Sequence, residues 1–283
     1  MTNVLLFGAT GHVGRHIAAE LKRKQYHVTA VVRNEEKARQ LDVNADRFII
    51  KNVLNAATLQ SICEGQEIVI SALGKSVSPN DKSKPSFYDV DYTVNAAVVK
   101  EAIKSRVSKF IYVSALGSER YPRLQYFKAH RDVEKELMTS GINYSIIKPP
   151  AVFSAFLDVI DMAKKGQLAT IGKGECFTNP IDEGDLAKIC VDAIGHHNSI
   201  IEAGGKEILS RKQINEMIQR EAAAHKKVRT VPLGLIKTGL PVLKIISKNM
   251  YDKVAFFTEV MQHDVIAPQV GEKRLESYIR SKV

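Results

Sequence analysis

Short apolar runs alternate with amphipathic stretches throughout the first half of the chain. The runs are rich in valine and isoleucine and are bounded by glycine or polar residues, as expected of buried strands. They lie at residues 4–7, 28–32, 48–50, 67–71, 110–114 and 144–147. Between them, apolar positions recur at helical spacing in residues 11–24, 35–41, 56–62, 89–105 and 126–139. This alternation predicts an α/β fold, with a doubly wound parallel sheet and helices on both of its faces.

A glycine-rich segment links the first predicted strand to the first predicted helix. It consists of Gly8, Ala9, Thr10, Gly11, His12, Val13 and Gly14. Glycines at such spacing provide a tight turn, a close approach of the backbone to a pyrophosphate, and close packing of helix on strand. The helix N-terminus offers N–H groups and a positive dipole end to the phosphates. This context predicts a Rossmann-like domain that binds a nicotinamide dinucleotide at the turn.

The residue that follows the second predicted strand indicates which dinucleotide is bound. Sites that prefer NAD(H) usually have an acidic residue there, which binds the ribose 2′-hydroxyl. This chain has Arg33 instead, with Lys37 one helical turn later. A guanidinium pairs with a 2′-phosphate through charge-assisted hydrogen bonds, and the alternative role for Arg33 is to stack on the adenine of either cofactor. We predict that NADP(H) is preferred over NAD(H).

The second half of the chain is less regular and contains no repeat or low-complexity linker. We predict an NAD(P)-binding domain over residues 1–153 and a smaller C-terminal region, 154–283, that grows on the same sheet and covers the substrate. Candidate lid segments are 75–88 and 232–251. In 232–251, leucines and isoleucines are interspersed with three lysines. A core-packing helix or a substrate lid is favoured there over a basic amphipathic surface for lipid, because apolar stripes are usually buried.

The formal net charge of +10 and the cysteine content bear on which ligands, metals and macromolecular partners the chain could bind. Lysines and arginines are scattered, with no basic block interleaved with aromatic residues, so we expect no nucleic-acid partner. The chain has no apolar run long enough to span a bilayer and no signal-peptide pattern at its N-terminus. The three cysteines form no CxxC pair, and His196 and His197 have no further ligand at metal spacing, so we expect no metal site. A cytoplasmic protein with a small-molecule substrate is expected.

Several motifs together carry a family resemblance that extends over most of the chain. They are GATGHVG, VVRNEEKA, YVSALG, SIIKP and NPIDEGDLA. On these motifs the chain resembles an atypical short-chain dehydrogenase/reductase, in the NmrA-like NAD(P)H-binding branch. The resemblance implies the fold and the cofactor. It implies no particular reaction, because this branch includes reductases, epimerase-like enzymes and non-catalytic redox sensors.

The resemblance also implies further contacts to the cofactor. The loop after the fourth strand would lie against the nicotinamide ribose, a pair after the third strand near the adenine, and the segment after the sixth strand beside the nicotinamide. These residues are Ala72, Leu73 and Gly74, then Asn52 and Val53, then Pro149 and Val152. Relatives often have an aspartate in place of Asn52, so this chain departs from the pattern there.

Catalytic members of the superfamily use a serine after the fifth strand and a YxxxK pair on the next helix, in which the lysine lowers the tyrosine pKa. Ser114 matches the serine and Tyr126 the tyrosine. His130 stands in place of the lysine, on the same helix face as Tyr126, whereas Lys128 points elsewhere on an ideal helix. Three interpretations remain open: His130 takes over the role of the lysine, Lys128 reaches in because the helix begins late, or the chain binds NADPH without efficient chemistry.

Three hypotheses for the function follow. The first is an NADP(H)-dependent reductase of a carbonyl- or quinone-type small molecule, with Tyr126 or a nearby group supplying the proton. The second is a non-catalytic NADP(H)-sensing binding protein, motivated by His130 in the lysine position. The third, an NAD-dependent sugar-nucleotide epimerase or dehydratase, is disfavoured by Arg33, because such chemistry uses tightly held NAD.

Overall fold

The computed structural model describes residues 1–39, 41, 44–222 and 228–283. Its strands are β1 (Asn3–Phe7), β2 (His27–Val32), β3 (Arg47–Ile50), β4 (Ile68–Ser71), β5 (Lys109–Val113), β6 (Asn143–Lys148), β7 (Ala169–Ile171), β8 (Phe177–Thr178), β9 (Ser199–Glu202), β10 (Leu209–Ser210) and β11 (Arg229–Val231). Its α-helices are α1 (His12–Arg23), α2 (Glu35–Arg39), α3 (Asn95–Lys104), α4 (Gln125–Thr139), α5 (Leu157–Lys164), α6 (Glu183–Asp192), α7 (Arg211–Glu221), α8 (Leu233–Ile246), α9 (Lys248–Val260) and α10 (Leu275–Arg280). Short 3₁₀ helices occupy Ala56–Leu59, Phe153–Phe156 and Ala193–Gly195.

The described residues form two compact units, each built from three separate segments of the chain. The first consists of Met1–Lys75, Pro85–Lys148 and Glu183–Glu202, and the second of Ser76–Lys84, Pro149–Asp182 and Ala203–Val283. The change of unit after Lys148 lies close to the predicted domain boundary at residue 153. Two segments depart from the predicted sequential division, because 183–202 return to the first unit and 76–84 belong to the second.

The first unit is built on a sheet whose strand order is β3-β2-β1-β4-β5-β6-β9, with every neighbouring pair parallel. The predicted doubly wound parallel α/β fold is therefore confirmed. The chain winds outward from β1 to β3 and then returns to β4 on the other side of β1, which makes the carboxyl ends of β1 and β4 a topological switch point. Ligands of open α/β sheets bind at such points.

Strand β9 was not among the predicted strands. Its four residues alternate between intermediate and exposed positions at the edge of the sheet. The central strands are buried on both faces and therefore form continuous apolar runs. An edge strand needs no continuous apolar run. Strand β9 has polar residues at both ends and was therefore not predicted from apolar runs.

The predicted helix over residues 89–105 begins as a π-helix, Tyr88–Val94, and continues directly as α3. The Asn95 side-chain amide donates a hydrogen bond of 2.8 Å to the Asp91 carbonyl, which in an α-helix would accept from the Asn95 backbone N–H. The backbone N–H of Asn95 turns instead to the Tyr92 carbonyl. The Asn95 side chain thus takes the place of its own backbone N–H at the Asp91 carbonyl. The wider π turn leaves room for this side-chain hydrogen bond.

The second unit has its own apolar core, in which α5 and α10 pack against α7. Its inserted segment, residues 76–84, is tied to α9. The buried Lys253 ammonium donates to the Ser78 carbonyl at 2.7 Å and to the Asp81 carbonyl at 2.5 Å, and the Asn249 side chain donates to the Lys84 carbonyl at 2.7 Å. These hydrogen bonds explain why a segment between β4 and α3 belongs to the second unit.

Helix α8 bears on one part of the favoured interpretation of 232–251, the core-packing helix, whereas the substrate lid stays a prediction. None of its residues, all of which are described, is buried, so the expectation of a core-packing helix is wrong. The helix packs against α9, and several of its large apolar side chains are exposed. Among the described residues, no helix is long and apolar enough to cross a membrane.

Candidate dinucleotide and catalytic site

The glycine turn lies at the switch point between β1 and β4. Gly8 has a positive φ of 74°. A Cβ atom on Gly8 would lie 2.5 Å from the Ala72 carbonyl oxygen, and one on Gly14 would lie 2.0 Å from the Gly8 carbonyl oxygen. Both distances are far below a van der Waals contact. Glycine is therefore required at these two positions for the chain to turn and for α1 to begin so close to the strand.

The N-terminus of α1 carries the groups that would hold a pyrophosphate. Its N-cap residue is Gly11, in extended conformation with φ −72° and ψ 170°, which contributes no side-chain cap. The first turn of α1 contains no acidic residue. An uncapped N-terminus without a nearby carboxylate presents its N–H groups and positive dipole end to an anion. The turn thus fits the two phosphates of a dinucleotide.

The loop after β4 is fixed by three buried polar side chains, Ser71, Asn95 and Asp91. The Ser71 hydroxyl donates to the Asn95 side-chain carbonyl at 2.6 Å, and the Asn95 amide donates to the Leu73 carbonyl at 3.3 Å. Asp91 accepts the Lys75 backbone N–H at 2.6 Å and would lie 2.9 Å from a Cβ on Gly74. The loop predicted to lie against the nicotinamide ribose is therefore held in one conformation beside the glycine turn.

Asp91 was not singled out by the sequence. Its side chain is fully buried, and its Oδ2 atom has no hydrogen-bond partner among the described residues. Burial raises the pKa of Asp91 well above its usual range, and the N–H and charge of Lys75 offset only part of that rise. Burial therefore favours the neutral form of this carboxyl. Its position in a polar-looking DVDY stretch gave no sign of burial.

The opposite end of the predicted site is exposed. Arg33 directly follows β2, is exposed, and makes no ion pair with the described residues. Asn34 caps α2 by accepting the Lys37 backbone N–H at 3.0 Å. Asn52 is exposed and accepts the Leu54 N–H at 3.3 Å, while Val53 is buried in the core of the first unit. The Arg33 guanidinium is thus available to an anionic ligand at the carboxyl edge of the sheet.

Tyr126 and His130 lie together on α4, as their spacing predicts. Their rings meet edge to face with centroids 4.7 Å apart, and Phe87 packs on Tyr126 with centroids 5.5 Å apart. His130 is buried and shares a hydrogen bond of 2.7 Å between its Nδ1 and the Tyr112 hydroxyl. Burial, followed by the positive charge of Lys148, lowers the pKa of His130 to about 3. His130 is therefore a neutral imidazole at neutral pH.

A neutral His130 does not activate Tyr126. Burial raises the pKa of the Tyr126 phenol, and the Asp91 carboxyl adds to the rise. A cation at position 130 would act in the opposite direction by favouring the phenolate. The Lys128 ammonium is bonded elsewhere, to Asp132 at 2.5 Å and to the Tyr88 hydroxyl at 3.2 Å, and α4 begins at Gln125, before Tyr126. Tyr126 is thus a neutral phenol in this arrangement.

The buried imidazole predicts a specific loss of stability in acid. The unfolded-state pKa of histidine is about 6.5, whereas His130 in the folded state has a pKa of about 3. As the pH falls, the histidine of the unfolded chain is protonated before His130 of the folded chain. The stability that the neutral His130 contributes is therefore retained above pH 6.5 and is lost as the pH falls from 6.5 towards 3. We expect this residue to cost about 2 kcal/mol of the free energy of unfolding between pH 7 and pH 5.

Urea unfolding of the wild type and of His130→Gln at pH 7 and pH 5 measures this cost. The other titrating groups are common to both proteins, so the difference between their pH dependences isolates position 130. The expectation is that His130→Gln loses about 2 kcal/mol less than the wild type over this interval. Equal losses in the two proteins would show that His130 takes up a proton as readily in the folded state.

Ser114 belongs to a buried polar cluster that the sequence did not reveal. Ser114 and Ser118 donate to Glu134 Oε1 at 2.5 and 2.8 Å. The Lys148 ammonium lies 3.2 Å from Glu134 Oε2 and 2.8 Å from Glu119 Oε2. Burial lowers the pKa of Lys148, but the two carboxylates outweigh burial, so its pKa is raised and the lysine is charged. The Ser114 hydroxyl is thus bonded to a carboxylate.

Two signals could have pointed to this cluster. Lys148 directly follows the buried residues Ile146 and Ile147 at the end of its strand, and Glu134 lies one helical turn after His130 among core-facing positions of α4. A charge on a core-facing position is rare unless it is paired. The pairing itself joins residues 14 positions apart across a strand and a helix, which no local pattern encodes.

The remaining predicted positions lie outside this cluster. Pro149 and Val152 belong to the second unit, where Pro149 is buried and Val152 forms a parallel bridge to Ile181. Within the described residues, no group of three or more histidine, cysteine or acidic side chains could hold a metal ion. The site that emerges in the first unit is therefore a dinucleotide turn followed, on α4, by an aromatic pair without an activating lysine.

Comparisons with known proteins agree with this arrangement. The NAD(P)H-binding family model matches residues 8–197. The divinyl chlorophyllide a 8-vinyl-reductase of Oryza sativa subsp. indica is 27% identical over 266 residues, which are 87% of this chain and 65% of the rice protein. The photosystem II assembly factor Ycf39 of Trieres chinensis is 22% identical over 261 residues, which are 90% of this chain and 80% of that factor.

A solved structure has the same fold. It is an NADPH-dependent quinone oxidoreductase of Escherichia coli in complex with NADPH, with a TM-score of 0.73 and 18% identity over 98% of this chain and 99% of that one. At this identity the likeness shows the fold alone. The family model, however, spans more than half of the chain and includes both the glycine turn and α4. The chain therefore belongs to the NAD(P)H-binding family of atypical short-chain dehydrogenases/reductases.

Proposed function

We propose that this protein is an NADPH-dependent reductase of a quinone or another conjugated carbonyl compound. The observation that carries the proposal is the turn from β1 into α1. Backbone crowding requires glycine at Gly8 and Gly14, and the N-terminus of α1 has no side-chain cap, so its N–H groups can bind a pyrophosphate. Bound NADPH would supply a hydride. Assignment to the NmrA-like branch and a cytoplasmic location stay predictions, and the free thiols of all three cysteines suit a reducing compartment.

The preference for NADP(H) over NAD(H) is proposed from Arg33. The guanidinium follows β2 at the carboxyl edge of the sheet and has no ionic partner among the described residues. An arginine in this position can form charge-assisted hydrogen bonds with a 2′-phosphate. The adenine contacts of Asn52 and Val53, and the nicotinamide contacts of Pro149 and Val152, remain predictions from the family resemblance.

The state of Tyr126 supports the substrate class. A simple ketone that accepts a hydride becomes an alkoxide, which needs a proton from a well-placed acid, and general acids contribute about 10²- to 10⁴-fold to such steps. A quinone that accepts a hydride becomes a stabilised hydroquinone anion, which takes its proton from water. Because Tyr126 has a raised pKa and no charged lysine or histidine beside it on α4, the site favours acceptors of the second kind.

Two observations favour a second candidate, a nucleotide-sensing protein without turnover. His130 is neutral where catalytic relatives have a lysine, and the Ser114 hydroxyl is held by Glu134 at 2.5 Å. A sensor needs only the dinucleotide turn. It would change its contacts to another protein when NADP(H) binds, and the relationship to an assembly factor makes such a role chemically reasonable.

Oxidation of NADPH by a panel of acceptors distinguishes these candidates. The expected result is turnover of a benzoquinone at least about tenfold faster than turnover of a simple aldehyde. Tyr126→Phe should retain quinone reduction within about tenfold, since no strong acid is required. Tight binding of NADPH without oxidation by any acceptor would contradict the reductase proposal and leave the sensor.

A further inference from the structure

A small cavity adjoins the dinucleotide turn in the first unit, between α1 and the segment that follows α2. Its described lining consists of Thr10, Arg15, His16, Ala19, Leu41 and Asn44. Its volume of about 220 Å³ is below the roughly 300–1,000 Å³ of pockets that enclose a whole ligand. The cavity therefore suits one substituent of a larger ligand, and the proposed hydride transfer does not account for it.

One wall of the cavity comes from the glycine turn and the first turns of α1. Arg15 and His16 are exposed residues of this helix, and Ala19 shares a helix face with His16. The Arg15 guanidinium donates through Nη2 to the Thr10 carbonyl at 3.2 Å, which holds it beside the turn. This bond uses only one of its several N–H donors, and Arg15 forms no ion pair with the described residues.

The other wall comes from two residues between α2 and β3. The Leu41 N–H donates to the Ala38 carbonyl at 2.9 Å, and the Asn44 N–H donates to the Leu41 carbonyl at 2.7 Å. Leu41 is buried, whereas Asn44 is partly exposed. The cavity thus combines the apolar side chains of Ala19 and Leu41 with an arginine, a histidine and an asparagine, all of which can donate hydrogen bonds.

The charge of the cavity favours an anion. Among the residues that the structure describes, no aspartate or glutamate lines it. Two carboxylates near the lining in sequence are already paired with other cations: Glu20 contacts Arg23 at 2.6 Å, and Asp46 contacts Lys22 at 2.5 Å. A guanidinium with further hydrogen-bond donors around it is the arrangement that binds a phosphomonoester, through short charge-assisted hydrogen bonds.

The position of the cavity indicates which phosphate it would bind. Thr10 belongs both to the glycine turn and to the lining. Strands β1 and β2 are parallel neighbours, so Arg33, directly after β2, lies at the same edge of the sheet as the turn. In NADPH the adenosine ribose adjoins the pyrophosphate and carries the third phosphate on its 2′-oxygen. A pyrophosphate bound at the start of α1 therefore brings the 2′-phosphate to this region.

We propose that Arg15, together with His16 and Asn44, binds the 2′-phosphate of NADPH in this cavity, and that Arg15 is a second specificity-determining residue beside Arg33. The inference rests on the proposed use of NADPH and names further residues of that site. It assigns Arg15 to binding of the cofactor and not to hydride transfer. Free phosphate could use the same donors, so the test has to separate the two sources of the anion.

Calorimetric titration of the full chain with NADPH, NADH, 2′-AMP and inorganic phosphate tests the proposal. We expect Arg15→Gln to bind NADPH and 2′-AMP at least about tenfold more weakly than the wild type, and NADH within about threefold. Arg15→Lys keeps the charge without the planar fork and should give intermediate affinities. The matched control is Arg47→Gln, which changes an exposed arginine at the amino end of β3 and should leave all affinities unchanged.

Three results would overturn the proposal. They are equal weakening of NADPH and NADH by Arg15→Gln, an unchanged affinity of this variant for 2′-AMP, and inorganic phosphate that binds through Arg15 as tightly as 2′-AMP does. Thermal unfolding of the variants should match that of the wild type. NADPH that binds through Arg15 but is never oxidised would contradict only the reductase proposal. A quinone reductase whose Arg15→Gln variant binds NADPH like the wild type would contradict only this inference.

Discussion

Replacement of Gly11 by aspartate is expected to abolish NADPH binding without unfolding the protein. Gly11 is the N-cap of α1 and has the extended backbone angles that an aspartate N-cap adopts, so the new side chain can cap the helix itself. Its carboxylate would then occupy the N–H groups needed by the pyrophosphate. Like charges about 4 Å apart near a protein surface repel by roughly 4 kcal/mol, so a loss of affinity of at least about 100-fold is expected.

The matched control for this change is Gly11→Asn. Asparagine has nearly the same shape and caps helices equally well, but it carries no charge. In either variant the Cβ atom meets the Gly8 carbonyl oxygen at 3.2 Å, so any steric cost is shared. Calorimetric titration with NADPH and thermal unfolding of both variants provide the measurements. An Asp variant that binds NADPH within about threefold of the Asn variant would show that the phosphates lie elsewhere.

Replacement of Lys148 by methionine is expected to cause a large loss of stability. The Lys148 and Glu134 side chains are each only 7% exposed. Without the ammonium, the Glu134 carboxylate would remain buried with only the hydroxyls of Ser114 and Ser118 as donors. Removing one partner of a buried ion pair typically costs about 3–5 kcal/mol, because the other charge is left uncompensated. Urea unfolding at pH 7 measures the cost.

The control for this prediction is the surface pair of Lys128 and Asp132. Its side chains are 42% and 23% exposed, so Lys128→Met should lose less than about 1 kcal/mol. In the double variant Lys148→Met, Glu134→Gln, part of the lost stability should return, since no unpaired carboxylate remains. If Lys148→Met lost no more unfolding free energy than Lys128→Met, the cluster around Glu134 would have to be well hydrated.

The parts of the molecule that follow local rules could be predicted from the sequence. The glycine turn was identifiable because Gly8 and Gly14 are required by backbone contacts and because a strand and a helix flank them directly. The central strands were identifiable because burial on both faces demands continuous apolar runs. The position of His130 beside Tyr126 followed from helical periodicity.

Features that depend on distant residues were not predictable in the same way. The charge of His130 depends on burial and on Lys148, which lies on another element of the fold. The segment 76–84 joins the second unit through Lys253, more than 170 positions later in the chain. The exposure of α8 depends on what fails to pack against it, and its apolar pattern alone favoured a buried helix.

We propose that Arg33 and the turn at Gly8–Gly14 together form an NADP(H) site. Calorimetric titration of the wild type and of Arg33→Asp, each with NADPH and with NADH, tests it most directly. We expect the wild type to bind NADPH at least about tenfold more tightly than NADH, through charge-assisted bonds to the 2′-phosphate, and Arg33→Asp to reverse this order. Binding of neither dinucleotide by the wild type, or the same order of affinities in both proteins, would contradict the claim.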